Sequence, residues 1–313
     1  MVCCNCNLLC KKFGKFGPKR IQRYRCKRCN RTFSDPQEKP LDEMRVPLEK
    51  ALQALNLLVE GCGIRVTSRI TGLHQETVLA LLEKAGERTR RLLDSKIRNV
   101  AIKQVQVDEI WGFVRCKQKH VRDAADYKSG DQYTFVAFDR KSKLVLSYVI
   151  GKRTSGNAER LMDDLKKRLA KRTQLTTDGF SAYVDAVEWA FGADIDFAQL
   201  IKLYAGDEAG RERYSPSECI GAVPTVIQGN PDPAMICTSH VERNNLTMRT
   251  FLRRLTRLSL GFSKKLENLK HAVALHFAHY NFCRVHKSLR VTPAMEAGLT
   301  DHVWTWEELL NGC

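Results

Sequence analysis

Two cysteine pairs at the start of the chain, Cys3-x2-Cys6 and Cys26-x2-Cys29, are separated by 19 residues. Each pair forms a turn that aims two thiolates at one point, and two such turns complete a tetrahedral Cys4 zinc site. The stretch between them, KKFGKFGPKRIQRYRC, is basic and is expected to turn at Gly14, Gly17 and Pro18. A segment of about forty residues buries too little apolar surface to fold alone, so structural Zn2+ is expected to stabilise a ribbon over residues 1–39. Cys4 and Cys10 fall outside the regular spacing and are read as bystanders. Lys11, Lys12, Lys15, Lys19, Arg20, Arg23 and Arg25 point the ribbon towards DNA.

The remaining cysteines support this reading. Six of the 12 fall before residue 30 and the others are scattered singly through 313 residues. A disulfide framework belongs to short secreted chains, and the start of this one lacks the apolar core of a signal peptide. A reduced cytoplasm is therefore expected. No apolar stretch approaches the roughly 18 residues a membrane helix needs. The formal charge of +17 suits a phosphate backbone or an anionic surface better than a neutral partner. Double-stranded DNA is the expected partner, and the nucleoid the expected location.

Pro36 and Pro40 mark a linker, after which the pattern becomes helical. Leu48, Leu52, Leu55 and Val59 recur at helical spacing up to Gly61-Cys62-Gly63. A short helix from Ile64 to Ile70, a turn at Gly72-Leu73 and a helix from Gln75 with Val78, Leu81, Leu82 and Ala85 on one face follow. Two helices joined by a Gly-containing turn describe a helix-turn-helix, expected over residues 40–98. At the start of its second helix, His74, Gln75, Glu76 and Thr77 are candidates for base or phosphate contacts. An ordinary three-helix bundle has the same spacing; Arg65, Arg69, Arg88, Arg90 and Arg91 favour DNA.

From residue 100 the period shortens to that of strands. Val105-Gln106-Val107 leads to Asp108, and YTFVAF (133–138) and LVLSYVI (144–150) follow. Ala158, Leu161, Leu165 and Leu169 mark a helix, and Gln174 to Thr177 a fourth strand ending at Asp178. Three antiparallel strands, a helix and a further strand match the start of a ribonuclease-H-like α/β fold, a mixed sheet with flanking helices, expected over residues 99–290. In that fold the ends of the first and fourth strands lie side by side, which brings Asp108 next to Asp178. Glu242, in the basic segment SHVERNNLTMR, is expected to join them from a later helix. Three such carboxylates can hold two Mg2+ (or Mn2+) ions for phosphoryl transfer. Glu109 leaves the ligand choice open within its pair. Arg249, two helical turns beyond Glu242, is positioned to grip a DNA phosphate, with Arg243, Asn244 and Asn245 beside it. The segment 205–239 is rich in Gly, Pro and Ser and reads as a surface loop. His271, His276, His279 and His286 accompany the next helix as packing or phosphate-facing groups. Residues 291–313 form a tail that Trp304 and Trp306 fold onto the core.

These segments carry a family resemblance. CKRCNRTF, GIRVTSRITGLHQETV, VDEIWGFV, VERNNLTMRTFLRRLTRLSLGFSKK and YNFCRVHKSLRVTPAMEAGL together resemble the DDE transposases of the IS1 insertion-sequence family. The resemblance implies a zinc ribbon and helix-turn-helix ahead of a catalytic domain. It also implies Mg2+-dependent DNA cleavage and strand transfer at the inverted-repeat ends of a mobile element. Asp108, Asp178 and Glu242 match the family's catalytic triad, and Arg249 its basic residue seven positions on. Pairing two element ends and a target DNA calls for a homodimer or larger assembly. Two other readings stand beside this one: a DNA-binding regulator with an inactive core, and a ribonuclease-H-like nuclease.

Overall fold

The computed structural model describes residues 1–3, 5–17, 20–34, 41, 44–123, 125–204 and 219–312. The chain divides into two compact units, Met1–Glu43 and Met44–Cys313. Pro36 and Pro40, the expected linker, and Cys4 and Lys19 lie outside the described residues.

In the first unit, strands β1 (Lys11–Phe16), β2 (Ile21–Arg25) and β3 (Thr32–Ser34) form an antiparallel sheet in that order. Gly17 takes a positive φ of 71° just after β1. Among the described residues of this unit, the buried apolar side chains are Cys3, Cys26 and Leu41. Such a sheet has almost no core of its own. Its aromatic side chains serve instead as platforms for charge, with the guanidiniums of Arg23 over Phe16 and Arg25 over Phe13.

The second unit opens with three helices, α1 (Leu48–Val59), α2 (Ile64–Thr71) and α3 (Gln75–Lys96). The expected stripe on α1 is shifted. Ala51, Ala54, Leu55 and Val59 are buried while Leu48 stays exposed, because the small alanines let α1 approach its neighbours closely. The α2–α3 turn is as expected: Gly72 closes α2 in the left-handed region at φ 71°, where a side chain costs energy. Helix α3 runs far beyond its expected stripe and reaches the rest of the unit. A Cβ on its Gly86 would lie 2.5 Å from His271 Cβ, so glycine permits α3 and the later helix that carries His271 to cross in contact.

The central sheet has six strands in the order β6-β5-β4-β7-β8-β9. β4 (Gln104–Val114), β5 (Gly130–Asp139) and β6 (Val145–Gly151) form an antiparallel meander. Helix α4 (Ser155–Arg168) returns the chain so that β7 (Gln174–Thr177) lies parallel to β4. Helix α5 (Ala182–Phe191) leads to β8 (Asp196–Tyr204), parallel to β7, and β9 (Cys219–Gln228) closes the edge antiparallel to β8. The expectation of a surface loop over 205–239 is corrected in its described part: residues 219–228 are a sheet strand. Residues 205–218 lie outside the described residues. Because most of β9 is exposed, with Ile220, Val223 and Val226 facing solvent, it lacks the alternation that signals a half-buried strand.

Helix α6 (Ser239–Phe251) carries Glu242, and α7 (Leu266–Phe282) packs against α3 and the sheet. Short helices α8 (Pro293–Glu296) and α9 (Trp306–Asn311) end the chain. The tail folds back. The Trp304 ring packs on Phe282 at 4.6 Å, Trp306 stacks on His279 at 5.2 Å, and the Trp306 indole donates to Asn56 Oδ1 at 2.6 Å. Among the described residues no helix is long and apolar enough to cross a membrane.

Candidate active site

The two cysteine knuckles are near copies of one another. In each, the first cysteine carbonyl accepts from the asparagine after the second cysteine (Asn7 and Asn30), and both asparagines adopt positive φ, 52° and 57°. The first cysteine's N–H donates five residues ahead, Cys3 to Leu8 and Cys26 to Arg31, both at 2.9 Å. Each turn thus folds its own two thiols inwards. One sulfur each from Cys3, Cys6, Cys26 and Cys29 falls within 4.8 Å of the others, and Cys3 and Cys29 approach to 3.6 Å. Zinc–sulfur bonds in a tetrahedron set sulfurs about 3.8 Å apart, so the four fit a zinc ion. The N–H of Cys29 pulls the Cys26 thiol down to about 6, while burial pushes the Cys3 and Cys6 thiols up, so without a metal one thiolate is shared among thiols that keep their protons. Cys10 lies outside this set, its thiol donating to the Leu8 carbonyl at 3.8 Å. Replacing Cys26 and Cys29 by Ser should release one zinc per chain and unfold the first unit while the second melts unchanged. Metal analysis and circular dichroism check both halves of that expectation.

The carboxylates converge because of strand register. β4 and β7 pair in parallel up to Val107 and Thr177, so the next residue of each chain is Asp108 and Asp178. β4 does not end at Asp108, as its β-branched run suggested, but continues to Val114 and carries Glu109 onward. Carboxylate oxygens of Asp108, Glu109 and Asp178 all lie within 4.8 Å of one another. Tyr183 on α5 donates to Glu109 Oε1 at 2.6 Å, and Arg153 bridges Glu109 and Asp178 at 3.4 and 3.3 Å. The Arg153 guanidinium also lies 4.0 Å over the Phe180 ring, which fixes its plane.

Glu242 flanks this cluster and lies outside its tightest set of three. Lys202 on β8 reaches Glu242 Oε1 at 2.5 Å, and the Thr238 hydroxyl donates to the same oxygen. Helix α6 is aimed by Gln106 on β4, whose Oε1 accepts the N–H groups of His240 and Val241 at 3.0 and 3.1 Å. Two orphan donors of the first helical turn are thereby satisfied, and Glu242 is held beside the sheet end.

Other expected contacts are placed differently. Asn245, expected on DNA, is largely buried and donates to Asp108 Oδ2 at 2.8 Å, orienting that carboxylate. Asn244 is buried as well, with neither side-chain polar atom bonded. Arg249 does not point freely at the carboxylates; it donates to the Leu255 carbonyl at 3.0 Å and the Trp111 carbonyl at 3.3 Å. Burial pushes its guanidinium down to about 10. Arg243 and Gln75 are exposed and Thr77 is half-buried. Arg153, Lys202, Tyr183 and Gln106 carried no sequence signal, since each acts through a partner distant in the chain.

Crowded carboxylates hold their protons. Burial first and the Asp178 charge second push Asp108 up to about 6 and Glu109 up to about 7. Asp178 is raised by burial, opposed by the Phe180 N–H, Arg153 and Lys202. Hard oxygen donors with unbalanced negative charge fit a divalent cation such as Mg2+ or Mn2+. A carboxyl whose folded pKa is raised binds more protons folded than unfolded, so stability falls as pH rises from the unfolded pKa of about 4 towards the folded value. Metal-free protein should therefore lose thermal stability between about pH 4 and pH 7, and less so as Asp108→Asn. Added Mg2+ should raise the melting temperature more at pH 8 than at pH 5. Melting curves in chelator and in Mg2+ decide it.

No family model matches the chain. It is 27% identical to the Escherichia coli K12 insertion element IS1 2 protein InsB over 177 residues, 56% of this chain and 75% of that protein. It is 26% identical to the Shigella flexneri insertion element IS1 protein InsB over 162 residues, 52% of this chain and 84% of that one. Among solved structures, the piggyBac transposase synaptic complex with hairpin DNA aligns over 88% of this chain and 72% of that one, at 11% identity and TM-score 0.35. The Mos1 strand transfer complex aligns over 51% of this chain, at 14% identity and TM-score 0.22, and the chain spans 60% of that one. At such scores neither superposition bears on the fold.

Proposed function

The chain is a homologue of the IS1 insertion-element proteins, and from that premise we propose that it is a DNA transposase with a ribonuclease-H-like catalytic core. In this reading it binds the terminal inverted repeats of its element, cleaves the DNA ends and joins them to a target, acting on cytoplasmic DNA as a homodimer or larger assembly. The observation that carries it is the parallel register that sets Asp108 beside Asp178, with Glu109 in reach and Glu242 held alongside by α6. Neither a serine nor a tyrosine nucleophile is needed.

Asp108 and Asp178, completed by Glu109 or Glu242, are the residues to hold divalent cations, which when bound acidify a water and offset charge on the leaving oxygen. The rest is positioning by the chain's own groups. Asn245 fixes the Asp108 carboxylate, Gln106 fixes α6, and Tyr183 fixes Glu109. Arg153 and Lys202 offset part of the cluster's charge, and Arg153 is the cation to meet a DNA phosphate there. The zinc ribbon, exposed Arg243 and the start of α3 with Gln75 and Thr77 supply sequence-independent and groove contacts to duplex DNA.

Incubating the full chain with labelled terminal-repeat duplexes, a supercoiled plasmid and Mg2+ tests this. Label joined to plasmid is the expected result. Binding without cleavage would mark a regulator, and cleavage without joining a nuclease; either outcome overturns the proposal.

A further inference from the structure

A cavity of about 650 Å3 lies within the second unit, where the helix pair α2–α3 meets α7 and the segment after α6. It is separate from the carboxylate cluster, none of whose members line it. Volumes of this size suit a small organic ligand. Its chemistry is graded from inside to mouth. Inside, Asn268, Ala272 and His276 present one face of α7 at intervals of four residues. His276 is only 4% exposed, and its Nε2 has no hydrogen-bond partner. A buried polar atom left unbonded costs free energy, and a ligand recovers it here only as the ring turns Nε2, closed to water in this conformation, towards the cavity. Leu79 and Leu82 of α3 and the Phe262 ring add apolar walls.

The mouth is cationic. Arg65, Arg253, Arg254 and Lys264 line it, and no acidic residue does. Arg254 is only partly exposed, and its guanidinium donates to Ser263 Oγ at 2.9 Å. Burial, with no carboxylate opposing it, pushes Arg254 down to about 10. An arginine drawn inwards without an anion is a fork awaiting one, and the fork geometry suits phosphate.

We propose that this cavity is a nucleotide-binding site, which takes a base against His276, Asn268 and Phe262 and a phosphate among Arg254, Arg253, Arg65 and Lys264. Imidazole and amide supply the hydrogen bonds a base edge requires, while the Phe262 ring, packed on Phe113 at 4.6 Å and carrying Lys264 Nζ at 3.6 Å, closes the apolar side of the cavity and holds that ammonium at its mouth. The nucleotide comes either free from solution or unpaired from bound DNA. Held there, it ties the helix-turn-helix pair to the sheet-bearing core through one ligand.

Equilibrium dialysis of the full chain with each radiolabelled deoxynucleoside monophosphate, and with the matching nucleoside, tests the first source. Terminal-repeat duplexes carrying 2-aminopurine test the second, since that base brightens when unstacked. Saturable one-to-one binding, or brightening, is expected in at least one arm. Arg254→Met should weaken the monophosphate by about tenfold or more and spare the nucleoside. Ala272→Phe, which fills the interior, should abolish both signals in protein that still melts cooperatively; if it does not fold, Leu79→Trp narrows the cavity from the opposite wall. Silence in both arms overturns the proposal, as does a signal that survives the filling variant. The dialysis arm needs no strand cleavage, so it stands or falls apart from the transposase reading.

Discussion

Asp178→Asn should leave the protein bound to its DNA ends within a few-fold of wild type and slow end cleavage by roughly a thousandfold or more, the several kcal/mol a catalytic metal site contributes. Asparagine keeps the shape of aspartate and can still accept the Phe180 N–H that Asp178 Oδ1 accepts at 3.1 Å. The lost charge is the point. One fewer anionic oxygen weakens cation binding, while the Arg153 guanidinium keeps Glu109 as a partner. Asp108→Asn should behave alike, and the double variant should be no worse than either single one, because both disable a shared site. Gel-shift binding measured beside single-turnover cleavage separates the effects. Loss of binding in parallel with loss of cleavage would assign Asp178 to folding instead of chemistry.

The second large effect concerns the third carboxylate. On family resemblance Glu242 is a ligand and Glu109 a bystander, so Glu242→Gln should abolish cleavage while Glu109→Gln stays active. The geometry changes the second half of that expectation. Glu109 lies inside the tightest set with Asp108 and Asp178, whereas Glu242 is paired with Lys202. Both variants are therefore expected to lose end cleavage by roughly a hundredfold or more, since each removes charge from one cation site. They differ in what rescues them. Lys202→Met frees Glu242 from its ion pair, so it should improve cleavage in Glu109→Gln by giving the site its other acid. It should do nothing for Glu242→Gln. Cleavage rates of the two single and two double variants decide the matter; full activity in Glu109→Gln would return that residue to a structural role.

How much of this was legible follows from how local each signal is. The four-cysteine cluster was legible, because a knuckle closes on itself within five residues and the two knuckles repeat one geometry. Asp108 and Asp178 were legible through strand order, since a parallel pairing of two short strand segments leaves their following residues abreast. Glu109 was not. Neighbours on a strand point to opposite faces, and only the Tyr183 hydroxyl and Arg153, from elements far along the chain, show where its carboxylate is held. Asn245 and Arg249 were read as DNA contacts from their place in a basic helix. Burial gives them different partners, a carboxylate for one and two carbonyls for the other. A basic segment marks charge but not which of its faces is covered. Strand β9 escaped because both of its faces carry exposed apolar residues, which leaves no period to detect.

In the proposed function the Asp108–Asp178 cluster holds divalent cations for reaction with DNA. Titrating Mn2+ into the full chain bound to a terminal-repeat duplex, with free Mn2+ read by electron paramagnetic resonance, tests it most directly. Wild type should take up Mn2+ at sites that Mg2+ displaces, and the Asp108→Asn/Asp178→Asn double variant should lose that uptake while still binding the duplex and retaining its zinc. Equal Mn2+ uptake by the two proteins would contradict it.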